Sequence, residues 1–155
     1  MRHDDIPDDL KRLAFDFFYW FSRFEFALKE ARCLKSTEEG AKAEVSWDRF
    51  IEKHRDAYQL TPAGQALIAA KPQRQIVGAT GLAFRDVGLN AGASDLERVV
   101  RLANTVRNNL FHGGKHGSEY WDEPNRMRDL LTTTIKALDD LAAQAGLQDD
   151  YERYY

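Results

Sequence analysis

Apolar side chains recur at helical spacing in three long stretches of the chain. Between residues 94 and 113 they return every three or four positions, which is the period of an amphipathic helix. Similar stripes run from Pro7 to about Leu34 and from Pro124 to Gly146. Shorter helices are predicted from about Ser46 and from Thr61. The pattern predicts an all-α fold, a bundle of four or more helices framed by the first, central and last of them.

Residue types at its two ends define the central helix. Ser94 and Glu97 form the S-x-x-E arrangement of a capping box, and Gly113-Gly114 is expected to end the helix. The preceding residues 73–93 contain four glycines. We expect an irregular connection there, with one helical turn around residues 82–87, and no strand anywhere in the chain.

Length, charge and cysteine content narrow the class of protein. The chain has 155 residues, 43% hydrophobic and 30% charged, which is typical of one globular domain over residues 1–155. A formal net charge of −3 excludes binding of nucleic acid through bulk charge, but not through a local basic site. The single Cys33 excludes a disulfide framework. For the acidic, Tyr-rich tail at residues 147–155, disorder and docking on a partner are both open.

The start of the chain lacks the pattern of a secretory signal. Residues 1–5 are mostly charged, and no apolar stretch follows at once. The densest apolar run, Phe17–Phe21, has five residues, far fewer than the ~20 that span a bilayer. We therefore expect a cytoplasmic protein that does not interact with a membrane.

The polar face of the central helix carries residues that do not favour helices. Asn104, Asn108 and Asn109 lie inside the helix, although asparagine prefers caps and turns. Asn104, Asn108 and His112 follow one another at i, i+4 spacing and so share one face. Arg107 lies at the border of the apolar stripe. Because residues that oppose local structure often serve a site, this face is the candidate functional surface.

The string R-N-N-L-F-H-G-G-K at residues 107–115 resembles the motif of the HEPN (higher eukaryote and prokaryote nucleotide-binding) family. That motif is R-x4–6-H near the end of a helix in an all-α bundle. The surroundings agree, since a long aromatic helix containing Phe24-Glu25 precedes the string and a Leu-rich helix follows it. The resemblance spans most of the chain, with residues 35–93 matching only loosely.

The resemblance implies a metal-independent endoribonuclease without a cofactor, often a toxin or phage-defence effector. Such proteins act as homodimers in which the motif helices of two subunits face one another across a cleft. Carried over to this chain, Arg107 and His112 are the catalytic pair and Asn108 supports them. Glu25 either steadies Arg107 or is an ordinary surface glutamate. One HEPN subgroup has a tyrosine, modified by its antitoxin, where this chain has Gly114, so we do not expect that mode of control. An antitoxin or other regulatory protein stays open as a partner.

The residue types suit cleavage of RNA. An imidazole exchanges protons near neutral pH, so His112 could take the proton of a ribose 2′-OH or protonate the leaving oxygen. A guanidinium binds phosphate and the charge that develops on it, which is the role expected of Arg107. Lys115 and His116 could add phosphate contacts, with Asn104 as a further supporting residue. His112 and His116 are not expected to bind a metal, because Gly-Gly separates them and no thiolate or carboxylate cluster is nearby.

Arg107 and His112 would not share a face of a regular helix, because five residues rotate a side chain by about 140° beyond a full turn. They converge only if the helix distorts at His112, or if the site forms between elements or subunits. Besides a dimeric ribonuclease, a non-catalytic HEPN-like module that binds a nucleotide, RNA or a protein partner stays open. A third interpretation, a helical oligomerisation domain, needs neither residue.

Overall fold

The structure, a computed structural model, describes residues 3–112 and 123–153. These residues form a short 3-10 turn (His3–Asp5), six α-helices and one antiparallel pair of strands. The order is α1 (Asp8–Glu30), α2 (Trp47–His54), α3 (Pro62–Ala70), β1 (Arg74–Gly78), β2 (Gly81–Arg85), α4 (Asp95–His112), α5 (Pro124–Gln144) and α6 (Gln148–Glu152). Helices dominate as predicted, but the all-α prediction lacked the two strands. None of the helices in the described ranges has the length and apolar character to cross a membrane.

Three helices begin at a hydroxyl cap. The side-chain oxygens of Ser46, Thr61 and Ser94 each accept a hydrogen bond from the backbone N–H three residues later, at 3.1–3.3 Å. Such bonds satisfy N–H groups that have no partner inside the helix. The predicted starts at Thr61 and Ser94 are therefore confirmed. The predicted end of the central helix at Gly113-Gly114 lies outside the described residues, and α4 is helical through His112.

One hydrophobic core joins the helices. The Phe24 ring of α1 lies 6.0 Å from that of Trp47 and 5.7 Å from that of Phe50, measured between centroids. The buried residues of α4 include the apolar stripe that its sequence predicted: Leu96, Val99, Ala103 and Val106. A leucine-rich face of α5 packs against α1, α3 and α4. The core therefore holds α4 between the first and last long helices and leaves its polar face toward the strands.

The C-terminal helix packs on α1. The Tyr151 side chain is buried and its hydroxyl donates a hydrogen bond to Asp139 Oδ1 at 2.6 Å. From α1, Arg23 donates to the backbone carbonyl oxygens of Tyr151 at 3.0 Å and Arg153 at 3.1 Å, and also to that of Asp150. The sequence left this tail open between disorder and docking on a partner, whereas the structure places α6 on the chain's own first helix.

Residues 74–85 form a β-hairpin, so the predicted connection with a helical turn is wrong. Val77 and Leu82 are register partners next to the turn, and they are 87% and 68% exposed. Gly81 has a φ of 145°, which is a backbone conformation that glycine adopts without steric cost. Because apolar residues of this hairpin face solvent, its sequence does not show the apolar–polar alternation by which a half-buried strand is recognised.

Candidate functional site

Helix α4 separates the two candidate catalytic side chains. Arg107 lines a cavity between α1 and α4, whereas His112 lines a groove between α4 and the hairpin. The helix is regular through His112, so the five-residue step turns the two side chains away from each other. Distortion at His112, one of the two routes to convergence, is therefore absent from α4 as described. The second route, a site between subunits or elements, is compatible with this geometry.

Aromatic rings surround Arg107 in its cavity. The cavity has a volume of about 70 Å³ and is lined by Phe18, Phe21, Ser22, Glu25, Arg107 and Phe111. The guanidinium carbon lies 5.3 Å from the Phe111 ring centroid and 6.0 Å from that of Phe21, within the range of cation–π attraction. Its Nη1 donates a hydrogen bond to Asn108 Oδ1 at 3.2 Å. These contacts orient a guanidinium that is half-buried and still accessible to a ligand.

Glu25 shares the Arg107 cavity. Both side chains are half-buried, and no ion pair joins these two described residues. The contacts that the guanidinium makes in the described structure are with Phe21, Phe111 and Asn108. The structure thus brings Glu25 to the site, and its steadying role stays a prediction.

His112 lines a polar groove with a volume of about 560 Å³. The groove runs between α4 and the hairpin, and its walls are Arg74, Gln75, Val87, Arg101, Asn104, Thr105, Asn108, Asn109 and His112. His112 is exposed at the end of α4. Asn108 belongs to both places, because it lines the groove and accepts the hydrogen bond from Arg107. Asn108 is therefore the residue that connects the Arg107 cavity with the His112 groove.

The other two asparagines of α4 bond to the backbone. Asn109 is 7% exposed, and its Nδ2 donates to the Gln73 carbonyl oxygen at 2.7 Å. This bond ties the chain just before β1 to α4. Asn104 Nδ2 donates to the Val100 carbonyl oxygen one turn earlier, at 2.9 Å. Asn109, which the sequence grouped with the candidate surface, thus attaches the hairpin.

Two groove residues on β1, Arg74 and Gln75, were missed by the sequence analysis. They lie on a strand that the pattern did not predict, and no motif marks them. The groove also contains Arg101, whose guanidinium is paired with Asp48 and lies 3.9 Å from a Glu97 carboxylate oxygen. The charge of Arg101 is therefore already balanced within the protein.

An exposed aromatic patch borders the Arg107 cavity. We call Phe15, Phe18 and Phe111 the α1–α4 patch; these side chains are 64%, 46% and 46% exposed. The ring centroids of Phe18 and Phe111 are 5.7 Å apart, and those of Phe15 and Phe18 are 6.4 Å apart. Contiguous exposed apolar side chains mark contact surfaces. Phe18 and Phe111 also line the Arg107 cavity, so whatever covers the patch lies beside Arg107.

The described residues give little support to metal or thiol chemistry. In residues 3–112 and 123–153, no three or more His, Cys, Asp or Glu side chains come together in a group that could hold a metal ion. Burial raises the pKa of the Cys33 thiol, which disfavours the reactive thiolate. The predicted phosphate contacts Lys115 and His116 lie outside the described residues. The candidate catalytic residues that the structure describes therefore lie on α4.

No family model, no curated protein and no solved structure matches the chain. The chain is accordingly not assigned to a family. The HEPN resemblance therefore stays a prediction.

Proposed function

We propose that the protein is a metal-independent endoribonuclease that acts as a homodimer, with Arg107 and His112 as its catalytic residues. One observation carries the proposal: a ring-bound arginine and an exposed histidine lie on one helix, with Asn108 between them. The HEPN resemblance of residues 107–115 supports the same assignment. A cytoplasmic location and a role as a toxin or phage-defence effector are further parts of the proposal.

The proposed reaction uses the 2′-OH of RNA as its nucleophile. His112 takes the 2′ proton, the 2′ oxygen forms a bond to phosphorus, and the bond from phosphorus to the 5′ oxygen breaks. The products are a 2′,3′-cyclic phosphate and a 5′-OH, whose proton comes from a histidine acting as general acid. Arg107 binds the non-bridging oxygens and the negative charge that develops on them. Because the nucleophile belongs to the substrate, no metal is needed to activate a water molecule.

Two features support a dimeric site. In one copy Arg107 and His112 open to different sides of α4, so one chain alone does not bring them to one phosphate. The α1–α4 patch next to Arg107 is apolar and exposed, and a two-fold interface uses the same patch on both subunits. Dimerisation through this patch would place a second α4, which carries the exposed His112 at its end, beside Arg107. An RNA-cleaving enzyme also requires control, so an antitoxin or other regulatory protein is a proposed partner.

The direct test is cleavage of a mixed RNA substrate in EDTA. Arg107→Ala and His112→Ala are each expected to lower the cleavage rate by about 10²- to 10⁴-fold, the range for losing an electrostatic stabiliser or an acid–base group. Arg98→Ala is the matched control, because it removes an arginine of α4 that lines neither the cavity nor the groove. Its rate should stay near that of the wild type.

Absence of cleavage by the wild type would change the interpretation. Folded wild type without activity, alongside inactive variants, would favour the non-catalytic alternative, a module that binds a nucleotide, RNA or a protein partner. The amide-rich groove beside His112 is the observation that supports this second candidate. Loss of activity in EDTA, with recovery on adding a divalent cation, would contradict the metal-independent mechanism.

A further inference from the structure

Two arginines lie side by side on the hairpin. Arg74 and Arg85 are register partners at its base, and both side chains are exposed. Neither forms an ion pair within the described part of the chain, and the acid next to them, Asp86, accepts a hydrogen bond from the Gln73 side chain at 2.9 Å. Like charges directly opposite one another on antiparallel strands are destabilising. The arrangement therefore favours a negatively charged ligand from outside the protein.

The positive charge of this pair adjoins the groove that contains His112. Arg74 lines that groove together with Gln75, and Asn104 and Asn108 face it from α4. Arg101 adds no positive charge to the groove, because it is paired with two carboxylates, those of Asp48 and Glu97. With Asp86 beside them, Arg74 and Arg85 leave one net positive charge at the hairpin side of the groove. Side-chain amides, which can donate hydrogen bonds, continue from there toward His112.

The lining residues indicate what part of a ligand the groove recognises. None of them is Phe, Tyr or Trp, the side chains on which bases of single strands usually stack. Guanidinium and amide donors instead match the oxygens of phosphates and sugars. A volume of about 560 Å³ suits a short extended segment.

We propose that the groove between α4 and the hairpin binds the sugar–phosphate backbone of single-stranded RNA, with Arg74 and Arg85 contacting phosphates away from the scissile bond. The inference rests on the proposed function, because the bound strand is the RNA that Arg107 and His112 cleave. Since phosphates are alike in every sequence, the groove adds affinity and register with little base preference. Arg74 and Arg85 are positioning residues and take no part in the chemical step.

Binding can be measured apart from cleavage. The probe is a short fluorescein-labelled 2′-O-methyl oligouridine, which lacks the 2′ nucleophile, and its anisotropy is followed over a series of salt concentrations. The test variant is Arg74→Gln/Arg85→Gln. The matched control is Arg12→Gln/Lys29→Gln, which removes two exposed charges from α1.

The double hairpin variant is expected to bind about tenfold more weakly at low salt, and the slope of log K against log salt should fall by about 1.4, or ~0.7 for each lost phosphate contact on a single strand. The control should stay within about twofold of the wild type, because its charges lie outside the groove. The thermal midpoint of the hairpin variant should stay equal or rise, since the opposed like charges are gone.

Unchanged affinity and salt slope in the hairpin variant would overturn the inference, and so would a wild type that does not bind the oligonucleotide. Failure of the proposed function gives a different result. If RNA cleavage is absent or independent of Arg107 and His112, while Arg74→Gln/Arg85→Gln still weakens binding, the groove is a nucleic-acid site on a non-catalytic protein.

Discussion

Asn108 and Asn109 are adjacent in α4 but have opposite environments. Asn109 is buried and donates to the Gln73 carbonyl oxygen, whereas Asn108 is exposed and accepts from Arg107. Asn109→Ala removes the donor that satisfies Gln73, a loss that costs about 1–3 kcal/mol. We expect the free energy of unfolding in urea to fall by that amount, and by less than about 0.5 kcal/mol in Asn108→Ala.

For RNA cleavage we expect the reverse order: the larger loss of rate in Asn108→Ala and the smaller in Asn109→Ala. Asn108→Ala frees the Arg107 guanidinium from its hydrogen bond and is expected to lower the cleavage rate. Asn109→Ala, assayed at a temperature at which it is folded, should keep most of its activity. Equal losses of stability in the two variants would contradict the distinction between a site residue and a residue that attaches the hairpin.

His54 gives the protein a sensitivity to mild acid. Its Nε2 is buried and has no hydrogen-bond partner in the described structure, and its ring lies 4.9 Å from that of Phe50. Burial, assisted by the charge of Lys53, lowers the pKa of His54 below the ordinary 6.5. As the pH falls, His54 is therefore protonated in the unfolded chain before it is protonated in the folded one. The stability that neutral His54 contributes is complete above pH 6.5 and is lost as the pH falls toward the pKa of the folded state.

Thermal unfolding at a series of pH values tests this. The wild-type midpoint should decline on lowering the pH from about 7 to 5, and His54→Gln, which cannot be protonated, should decline less. Glu44 does not act in this window: hydrogen bonds from Lys42 and Lys35 lower its pKa from 4.5 to about 2, so its contribution is lost only below pH 4.5. Parallel pH profiles of wild type and His54→Gln would exclude the His54 effect.

At the scale of elements, the five longer helices were predictable, whereas the hairpin and the short helix α6 were not. α4 had an apolar stripe and a capping serine in its sequence, and both have their predicted roles. The strands are only five residues long, with Val77 and Leu82 turned to solvent. Their placement depends on the Asn109 bond to Gln73, a contact between residues 36 positions apart that no local pattern contains.

The candidate site also has residues that the sequence could indicate and residues that it could not. Arg107, Asn108 and His112 could be selected from the motif string, since they lie within one helix. Arg74 and Gln75 could not, because they reach the groove only through the hairpin. The aromatic contacts of Arg107 with Phe21 and Phe111 also require the packing of α1 against α4. Sequence therefore indicated which residues carry the proposed chemistry, and tertiary structure indicated which surfaces serve them.

One arginine of α1 binds the backbone of helix α6. Arg23 donates to backbone carbonyl oxygens at the C-terminal end of α6, where a cation also favours the helix dipole. Arg23→Met keeps the apolar stem but removes these donors. We expect the free energy of unfolding to fall by about 1.5–3 kcal/mol, the range for hydrogen bonds to a charged group, and the Tyr151 amide to exchange faster with solvent.

Lys29→Met is the control for Arg23→Met, since it changes an exposed side chain on the same helix. Hydrogen exchange at residues 148–152 should be unchanged in that variant. Unaltered exchange in Arg23→Met would mean that burial of the Tyr151 side chain alone holds α6, and Tyr151→Ala would then be the variant that releases it.

At the scale of the whole molecule, the charged groove and the apolar α1–α4 patch suit two different partners. The net charge of −3 gives no general attraction for nucleic acid, so binding of RNA would depend on the local arginines of the groove. The α1–α4 patch is aromatic and lies next to the Arg107 cavity, which suits contact with a second copy. The two surfaces lie on different sides of α4, so RNA and a second subunit could bind at the same time.

Mixing two inactive variants tests whether the proposed active site is shared between subunits. If each site takes Arg107 from one subunit and His112 from the other, a heterodimer of Arg107→Ala and His112→Ala contains one intact site of two. Random exchange makes about half of the dimers mixed, so about a quarter of the wild-type cleavage rate should return.

Phe15→Asp, placed in both variants, should abolish the recovery, because it puts a charge into the exposed α1–α4 patch. Stable mixed dimers in sedimentation without restored cleavage would mean that both residues of a site come from one subunit, and α4 would then have to distort when RNA binds.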